Sequence, residues 1–328
     1  MKIRTKKLML IPVLCASLLC GGCEVAGRKV IFTTGLGNKD VFRIGETVCT
    51  LPEAKVYLCN YQNIYGSVYG LNLWEQASSK KQLDSYVKEM TISELARITC
   101  MDQLAEEQDI SLSEEEQKKA AEAAKAYFSS LSKDEIAYMD VTEETIETLY
   151  QNYALADKLY ATLTEGVNEE VSDDEARIIH AMQIVVKDKE NADAVTARLA
   201  AGEDFTSLAS DYNDGQDIEV TFGRGDVPEE VEKVAFSMED GEVSPCIETD
   251  QGYYFIKCVN KYDEELTQEN KVKIAQEREK TAFNDAYDAF VKEQDSMLNE
   301  KLWDETKIVT DGSITTNSFF AVYAQYCK

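Results

Sequence analysis

The sequence predicts an α+β protein: a helical N-terminal domain, completed by a C-terminal helix, carries an inserted α+β domain. Three observations indicate this class. Apolar residues keep helical spacing through much of the first half, a β-branched run and a hairpin signal mark the second half, and a long charged amphipathic segment follows. The predicted parts of the exported chain are an extended lead-in at 23–50, the helical domain at 51–170, the α+β domain at 171–262, and a C-terminal helix and tail at 263–328 that pack back on the helical domain.

The helical domain is predicted from apolar periodicity and from helix caps. Seven apolar residues keep roughly helical spacing: Leu83, Val87, Met90, Leu95, Ile98, Met101 and Leu104. Ser113 with Glu116 has the pattern of a capping box, and Thr142 is typical of the N-cap of another helix. The aromatic and methionine stripes of this region are interpreted as core rather than as a ligand site.

The inserted domain is predicted from a change of pattern after Ser172. Residues 182–186 are a β-branched run typical of a strand, and amphipathic helices follow at 191–199 and from Phe205. A third helix is predicted at 228–236. The Asp-Gln-Gly turn at 250–252 then predicts a hairpin.

The end of the chain is predicted to return to the helical domain. A charged amphipathic helix is expected from about Thr267 to about Leu302. The last segment, which contains the run Phe-Phe-Ala-Val-Tyr at 319–323, is predicted to be an extended tail.

The amino terminus has the pattern of an export signal. A basic stretch with Lys2, Arg4, Lys6 and Lys7 precedes a twelve-residue apolar run at 8–19, which is too short to span a bilayer core of roughly 30 Å. Small residues then precede Cys23, as in a bacterial lipobox, where the cysteine thiol receives diacylglycerol. Residues 1–22 are therefore predicted to be a lipoprotein signal peptide and Cys23 the lipidated residue, with an unlipidated secretory signal as the alternative. The lipid would hold the protein on the extracytoplasmic face of the cell membrane.

The charge excludes some functions. The 328-residue chain has 61 acidic and 34 basic residues, a net charge of −27, and loss of the four bases in 1–22 takes it to −31. Such a surface repels phosphates, so nucleic-acid binding and polybasic membrane docking are not expected. It favours cationic partners, although solubility alone also explains it.

Nine cysteines are present, and six remain after the signal and the lipidated residue. No CxxC spacing occurs among these six and His180 is the single histidine, so no metal site and no cofactor are predicted. If residues 250–252 turn a hairpin, Cys246 and Cys258 lie nearly opposite on antiparallel strands, within disulfide reach. Two free buried thiols are the equally weighted alternative.

Three phrases in residues 178–262 resemble the parvulin family of prolyl isomerases. Residues 202–212 resemble its GxxFxxLAxxYS, residues 235–244 its AFxLxxGEVS, and residues 249–257 its TxxGYHIIK. With the flanking helices and the lipobox, the whole chain resembles the PrsA foldases and, more distantly, the SurA chaperones. The resemblance implies a chaperone-like helical domain with an inserted parvulin-type α+β domain.

The resemblance also implies a site. The two family histidines fall on Gln183 and Tyr254, Thr249 matches its family position, and Asp214 is the best candidate for the acidic position in a shortened loop. Val227 and Val231 take the places of the methionine and phenylalanine of the proline slot. Phe222 and Gln251 complete the expected substrate-binding set.

Two interpretations of this site remain open. Isomerisation needs no proton transfer, so the domain can retain activity without its histidines. Four concurrent replacements instead favour a peptide-binding module with weak or lost isomerase activity. The leading hypothesis is a membrane-anchored extracytoplasmic foldase or chaperone for unfolded, newly exported polypeptides; alternatives are a dedicated prolyl isomerase and, more remotely, a solute-binding lipoprotein. A homodimer is compatible with the sequence.

Overall fold

The computed structural model describes residues 35–68, 71–75, 80–167 and 170–328, so the signal segment and Cys23 lie outside the described residues. The chain divides into two compact units. The helical unit comprises Met1–Leu159 with Tyr287–Lys328, and the inserted unit comprises Tyr160–Ala286. Because the helical unit is built from both ends of the chain, the predicted α+β class, with an inserted domain and a completing C-terminal part, is confirmed.

The elements follow one another without an internal repeat. In chain order they are β1 (Asp40–Ile44), β2 (Thr47–Thr50), α1 (Leu51–Tyr65), β3 (Ser67–Val68), β4 (Leu71–Asn72), α2 (Lys80–Glu107), α3 (Glu114–Ser130), α4 (Lys133–Met139), α5 (Glu143–Thr164), α6 (Asp173–Ala176), β5 (Ile179–Val186), α7 (Lys189–Ala200), α8 (Phe205–Tyr212), β6 (Glu219–Phe222), α9 (Glu229–Ala235), β7 (Ile247–Thr249), β8 (Gly252–Asn260), α10 (Glu264–Glu293), β9 (Ser296–Leu298), α11 (Glu300–Glu305) and α12 (Phe319–Cys327). Within the described ranges, no helix is both long and apolar enough to cross a membrane.

Local capping chemistry sets several helix starts in the helical unit. Ser113 and Glu116 form the predicted capping box at the start of α3, and Thr142 Oγ1 accepts a hydrogen bond from Thr145 N at the start of α5. Ser132 and Glu135 form a further capping box on α4. These side chains satisfy backbone N–H groups that have no partner inside the helix, which is why the helices begin there.

The C-terminal helix is shorter than predicted. Helix α10 ends at Glu293 rather than near Leu302, and Ser296–Leu298 forms β9 instead. Strand β9 pairs antiparallel with β1, with Leu298 opposite Phe42, in a sheet of order β2-β1-β9. Pairing with a strand more than 250 residues away in the chain determines this conformation. The local helical pattern of the sequence contains no information about that pairing.

The extended tail was also a wrong prediction, since residues Phe319–Cys327 form helix α12. Helical spacing brings Phe319 and Tyr323 onto one face, where both are buried. The Phe319 ring stacks on Tyr150 with 4.4 Å between ring centroids, and contacts Tyr57 and Tyr127. The end of the chain thus supplies the centre of the aromatic core of the helical unit.

Glu135 fastens the segment that leads into α12. The residue is 3% exposed; its Oε1 accepts hydrogen bonds from Thr315 N at 2.8 Å and Thr316 N at 2.7 Å, while Oε2 accepts from Ser132 N at 2.8 Å. Burial opposes ionisation, but these bonds outweigh it and lower the pKa of Glu135. One carboxylate therefore caps α4 and holds the C-terminal segment.

Asp102 on α2 is a partly buried acid whose pKa is shifted in the opposite direction. Its Oδ1 is buried and has no hydrogen-bond partner among the described residues. Burial, with a smaller effect of the Glu106 charge, raises the pKa of Asp102 to about 8. The folded protein therefore binds this proton more tightly than the unfolded chain, where an aspartate has a pKa of about 3.9.

We expect Asp102→Asn to flatten the pH dependence of stability. With a folded pKa above the unfolded one, the contribution of Asp102 is favourable in acid and is lost as pH rises from about 4 to about 8. The free energy of unfolding of the variant should exceed that of the wild type by on the order of 2 kcal/mol at pH 8.5 and should be nearly equal to it at pH 4. Urea denaturation across this pH range measures the difference. Asp285→Asn, at an exposed position within α10, is the matched control, and equal gains in the free energy of unfolding from both variants would contradict the assignment.

The inserted unit is built around an antiparallel sheet of order β6-β5-β8-β7. Helix α9 packs on one face, which we call the α9 face, together with Ile179 and Ala181 of β5. Helices α7 and α8 pack on the other, the α7–α8 face, with Ile184 and Val186 of β5. Side chains alternate between the two cores along each strand, as expected for a sheet covered on both faces.

The first part of α10 belongs to this unit. Thr267 Oγ1 accepts a hydrogen bond from Ile178 N, and Asn270 Nδ2 donates to Ala176 O. Further along α10, Arg278 forms an ion pair with Glu175. These contacts tie the start of α10 to the segment that enters β5.

Candidate functional site

The α9 face brings together the two positions that the resemblance assigns to family histidines. Strands β5 and β8 pair with Gln183 opposite Ile256 and Val185 opposite Tyr254. Ile256 lies in the core of the α9 face, and Tyr254 packs against that core. Because directly paired residues share a face, Gln183 and Tyr254 are diagonal neighbours on the α9 face.

Both side chains are held by hydrogen bonds within the protein. Gln183 Nε2 donates to the backbone O of Asp217 at 3.0 Å, and the Tyr254 hydroxyl donates to Gln251 Oε1 at 3.3 Å. Burial raises the pKa of the Tyr254 phenol, which keeps it protonated and a donor. The Tyr254 hydroxyl and one N–H of the Gln183 side chain therefore already have partners.

The expected slot residues lie in one apolar cluster beside Tyr254. Phe222 is 4% exposed and Val231 is fully buried, while Val227 packs against them and stays partly exposed. The ring of Phe236 lies 6.2 Å from that of Phe222. Since the cluster is filled by its own side chains, a proline ring would contact its partly exposed members, Val227 and Tyr254.

Thr249 and Gln251 shape the β7–β8 turn. Thr249 Oγ1 donates to Gly252 O at 2.9 Å and accepts from Gln251 N at 3.1 Å. Gly252 has φ +132°, and an added Cβ would lie 2.6 Å from Val186 O, so only glycine fits. This turn therefore places Gln251 within hydrogen-bond distance of the Tyr254 hydroxyl.

Asp214 stands apart from the polar pair of the α9 face. Its exposed carboxylate accepts a hydrogen bond from Lys187 N at 3.3 Å, beyond the end of β5. Two other residues of this loop approach side chains of β5: an added Cβ at Gly215 would lie 3.4 Å from Val185 Cγ2, and Asp217 O accepts from Gln183 Nε2. The recorded contact of the Asp214 carboxylate is with the backbone, and its role at the site stays a prediction.

Asn213 is a residue of the site that sequence reasoning missed. Its Oδ1 accepts hydrogen bonds from Val185 N at 2.9 Å and Gly215 N at 3.2 Å. Its Nδ2 donates to Gly215 O and to Asp217 O. The available signal was the Asn-Asp-Gly triplet directly after α8, since such residues commonly bond the backbone of tight turns.

Two arginines beside the apolar cluster were also missed. The guanidinium carbons of Arg177 and Arg224 lie 4.8 and 4.5 Å from the centroid of the Phe236 ring. Arg224 pairs with Asp174 and Glu232, and Arg177 Nη2 donates to Phe236 O. These contacts fix the loop between β6 and α9, which carries Val227.

His180 does not substitute for the missing histidines. Its neighbours Ile179 and Ala181 both lie in the core of the α9 face, so alternation along β5 turns His180 to the other side. In the described part of the chain, no group of three His, Cys, Asp or Glu residues is arranged to hold a metal ion.

Of the two alternatives left open for Cys246 and Cys258, a disulfide or two free thiols, the structure has the free thiols. Strands β7 and β8 pair with Ile247 opposite Tyr254, which brings Cys246 next to Phe255. Cys246 packs on the core of the α7–α8 face, whereas Cys258 lies in the core of the α9 face. The turn was predicted correctly, but the register and the faces separate the two sulfurs.

Comparisons with known proteins agree with this fold. Residues 141–273 match the family described as the PPIC-type PPIASE domain. The foldase protein PrsA of Caldanaerobacter subterraneus subsp. tengcongensis is 27% identical over 240 residues, which cover 65% of this chain and 73% of that protein. The PrsA of Halalkalibacterium halodurans is 34% identical over 161 residues, 43% of this chain and 48% of that protein, so the match spans about half of that relative.

Among solved structures, the peptidylprolyl isomerase PrsA of Bacillus cereus is 21% identical and covers 80% of this chain and 99% of its own, with a TM-score of 0.35. The family match and the sequence relatives confirm the resemblance that the three phrases predicted.

Proposed function

We propose that this chain, which carries a PPIC-type PPIASE domain and is a relative of the PrsA foldases, is a membrane-anchored extracytoplasmic foldase or chaperone for newly exported polypeptides. Its inserted unit acts as a peptide-binding module with weak or lost prolyl isomerase activity. One observation carries the second statement: the donor groups at both family histidine positions are engaged by Asp217 O and Gln251 Oε1.

The chemistry of isomerisation explains why this matters. Rotation about an X–Pro bond crosses a barrier of about 18–20 kcal/mol, and a catalyst must bind the twisted amide better than the planar one. The Tyr254 hydroxyl and one of the two N–H groups of Gln183 Nε2 are already bonded inside the protein, so these donors are not free to stabilise the twisted amide. An apolar patch with an acceptor beside it still binds a proline segment, because such binding needs no preference for the twisted form.

A row of aromatic rings in the helical unit supports the chaperone part of the proposal. Tyr61 stacks on Phe320 with 5.1 Å between centroids and contacts Tyr65, and Tyr65 contacts Tyr86, which is 44% exposed. Aromatic rings give apolar contact area at a low cost in conformational entropy. The net charge of −27 adds a preference for basic client segments.

Membrane attachment rests on the sequence pattern before Cys23. The lipid would keep the foldase near polypeptides that emerge on the outer face of the membrane. The expected partners are these unfolded polypeptides and the membrane through the lipid, without nucleic acid.

The proposal is tested on a mature chain with Cys23→Ser, with and without residues 179–262. Asp263 N donates to Ile178 O at 3.0 Å, so the ends of the deleted segment meet and a short Gly-Ser linker joins them. We expect both chains to suppress aggregation of an unfolded client, and the intact chain to accelerate a protease-coupled proline isomerisation little above the uncatalysed rate. Failure of the intact chain to suppress aggregation would refute the chaperone function, whereas rapid isomerisation would identify an active isomerase.

A further inference from the structure

We propose that Asn213 is a positioning residue of the peptide-binding site on the α9 face. It holds the loop 213–217 against β5 and thereby orients the amide of Gln183, whose Oε1 accepts a hydrogen bond from a backbone N–H of a bound proline-containing peptide. This inference rests on the proposed peptide-binding function of the inserted unit and adds the group that recognises the peptide.

The first step is that Asn213 replaces a missing strand partner. Strand β6 begins at Glu219 and pairs with β5 only as far as Met182, followed by a bond from Gln183 N to Ile218 O. Further along β5, Val185 N donates to Asn213 Oδ1 at 2.9 Å and Val185 O accepts from Asp214 N at 2.7 Å. A side-chain amide thus continues the ladder where the strand has ended, which pins the loop to the sheet.

The second step is a shared acceptor. Asp217 O accepts from Gln183 Nε2 at 3.0 Å and from Asn213 Nδ2 at 3.3 Å. A backbone carbonyl has two acceptor sites, so the two donors use both of them. Asn213 therefore fixes the position of the very oxygen that orients Gln183.

The third step follows from the chemistry of the amide. A carbonyl oxygen can only accept, so the NH₂ group of Gln183 must point to Asp217, and its Oε1 lies on the other branch of the amide. Gln183 shares the α9 face with Tyr254, whose hydroxyl is turned to Gln251. A peptide on this face therefore meets an acceptor beside an apolar patch.

The ligand class follows from that acceptor. Proline has no N–H, but the residues before and after it in an extended segment do. An oriented acceptor on the face that carries Tyr254 and the apolar cluster with Val227 suits the apolar proline ring and one flanking N–H together. The ligand is thus an extended peptide with a proline and a free N–H beside it.

The test uses the mature chain with Cys23→Ser and a short synthetic Ala-Pro peptide that has an N–H on each side of the proline. Affinity is measured by NMR titration, and the side-chain amide resonances of Gln183 are followed in the same spectra. In Asn213→Asp the two acceptor bonds are retained, and the donations to Asp217 O and Gly215 O are both lost. We expect its affinity to fall about tenfold, with displaced Gln183 amide resonances.

A double-mutant cycle separates positioning from mere stabilisation. Gln183→Ala should lower the affinity for the peptide by the same factor as Asn213→Asp. The double variant should bind the peptide no more weakly than either single variant. Asp204→Ala, which removes the cap bond to Ser207 N on α8, is the control for lost stability and should leave the affinity unchanged.

The outcomes distinguish the inference from the function on which it rests. If the wild type binds the peptide and Asn213→Asp binds it equally well, or if the two losses add, the positioning role is refuted and peptide binding stands. If the wild type does not bind the peptide at all, the peptide-binding function and this inference both fail.

Discussion

Glu135→Ala is expected to lower the free energy of unfolding of the helical unit by about 3 kcal/mol. The substitution removes the acceptor of Ser132 N, Thr315 N and Thr316 N in a place where Glu135 is only 3% exposed. Hydrogen bonds to a charged group contribute about 1.5–3 kcal/mol, and a buried donor left without a partner costs about as much again before the chain relaxes. Urea denaturation gives the loss, and amide exchange at Thr315 and Thr316 locates it.

The matched control is Glu116→Ala. Glu116 completes the same type of capping box on α3, but its side chain is 37% exposed, and its contact outside the box is an ion pair with Lys158 of α5 rather than bonds to the C-terminal segment. We expect a loss of about 1 kcal/mol there, typical of a lost cap. Equal losses of free energy of unfolding in the two variants would show that Glu135 acts only as a helix cap and that its bonds to the C-terminal segment add no stability.

The pH dependence of this effect has a defined sign. Because hydrogen bonds lower the pKa of Glu135 in the folded state, its contribution is present above the unfolded value of about 4.3 and is lost as pH falls through the folded value. The difference in free energy of unfolding between the wild type and Glu135→Ala should therefore be constant around neutral pH and should decrease only in acid.

Phe319→Ala is expected to cost about 4 kcal/mol, the other large effect. The ring is fully buried, and it contacts Tyr57, Tyr127 and Tyr150 within 5.3 Å between centroids. Truncation of a buried phenylalanine costs about 3–5 kcal/mol through lost burial and the cavity left behind, and the aromatic contacts place this site at the upper part of that range. Urea denaturation measures the loss, and amide exchange in α12 should show the helix opening first.

Phe320→Ala is the control within the same helix. Phe320 is partly exposed and stacks on Tyr61 at 5.1 Å, so its loss should cost about 1–2 kcal/mol. If Phe320→Ala destabilises the protein as much as Phe319→Ala, the centre of this core is not where the structure places it.

Much of the fold was predictable because its determinants are local. The capping box at Ser113 and the strand predicted at 182–186, which the structure extends to Ile179–Val186, depend on residues within a few positions of each other. The turn before Gly252 depends on a backbone conformation that glycine adopts readily. These features appeared where the sequence predicted them.

The wrong predictions, and the choice that the sequence left open for the cysteines, share a different cause. Strand β9 exists because Met297 and Leu298 pair with β1, and α12 is a helix because Phe319 and Tyr323 enter an aromatic core formed by α1, α3 and α5. Cys246 and Cys258 are separated by strand register. Each depends on partners that lie far away in the chain or on a register that local patterns do not determine.

The candidate site also has residues that local sequence patterns predicted and residues whose roles only the tertiary structure decided. The resemblance assigned Gln183 and Tyr254 by motif, and alternation along the strands predicts which residues can share a face. The roles of Asn213 and Asp217 follow from hydrogen bonds between β5 and a loop about thirty residues further along the chain.

By itself, the sequence determined the α+β class, the helix starts, the parvulin-like phrases and the loss of both histidines from their positions, because periodicity, caps and motifs are short-range properties. Only the tertiary structure decided that the chain end is a core helix, that the cysteines stay apart, and that an asparagine side chain completes β5 beside the site. The physical reason is that buried backbone groups and apolar surfaces must find partners, and which partners they find depends on the whole fold.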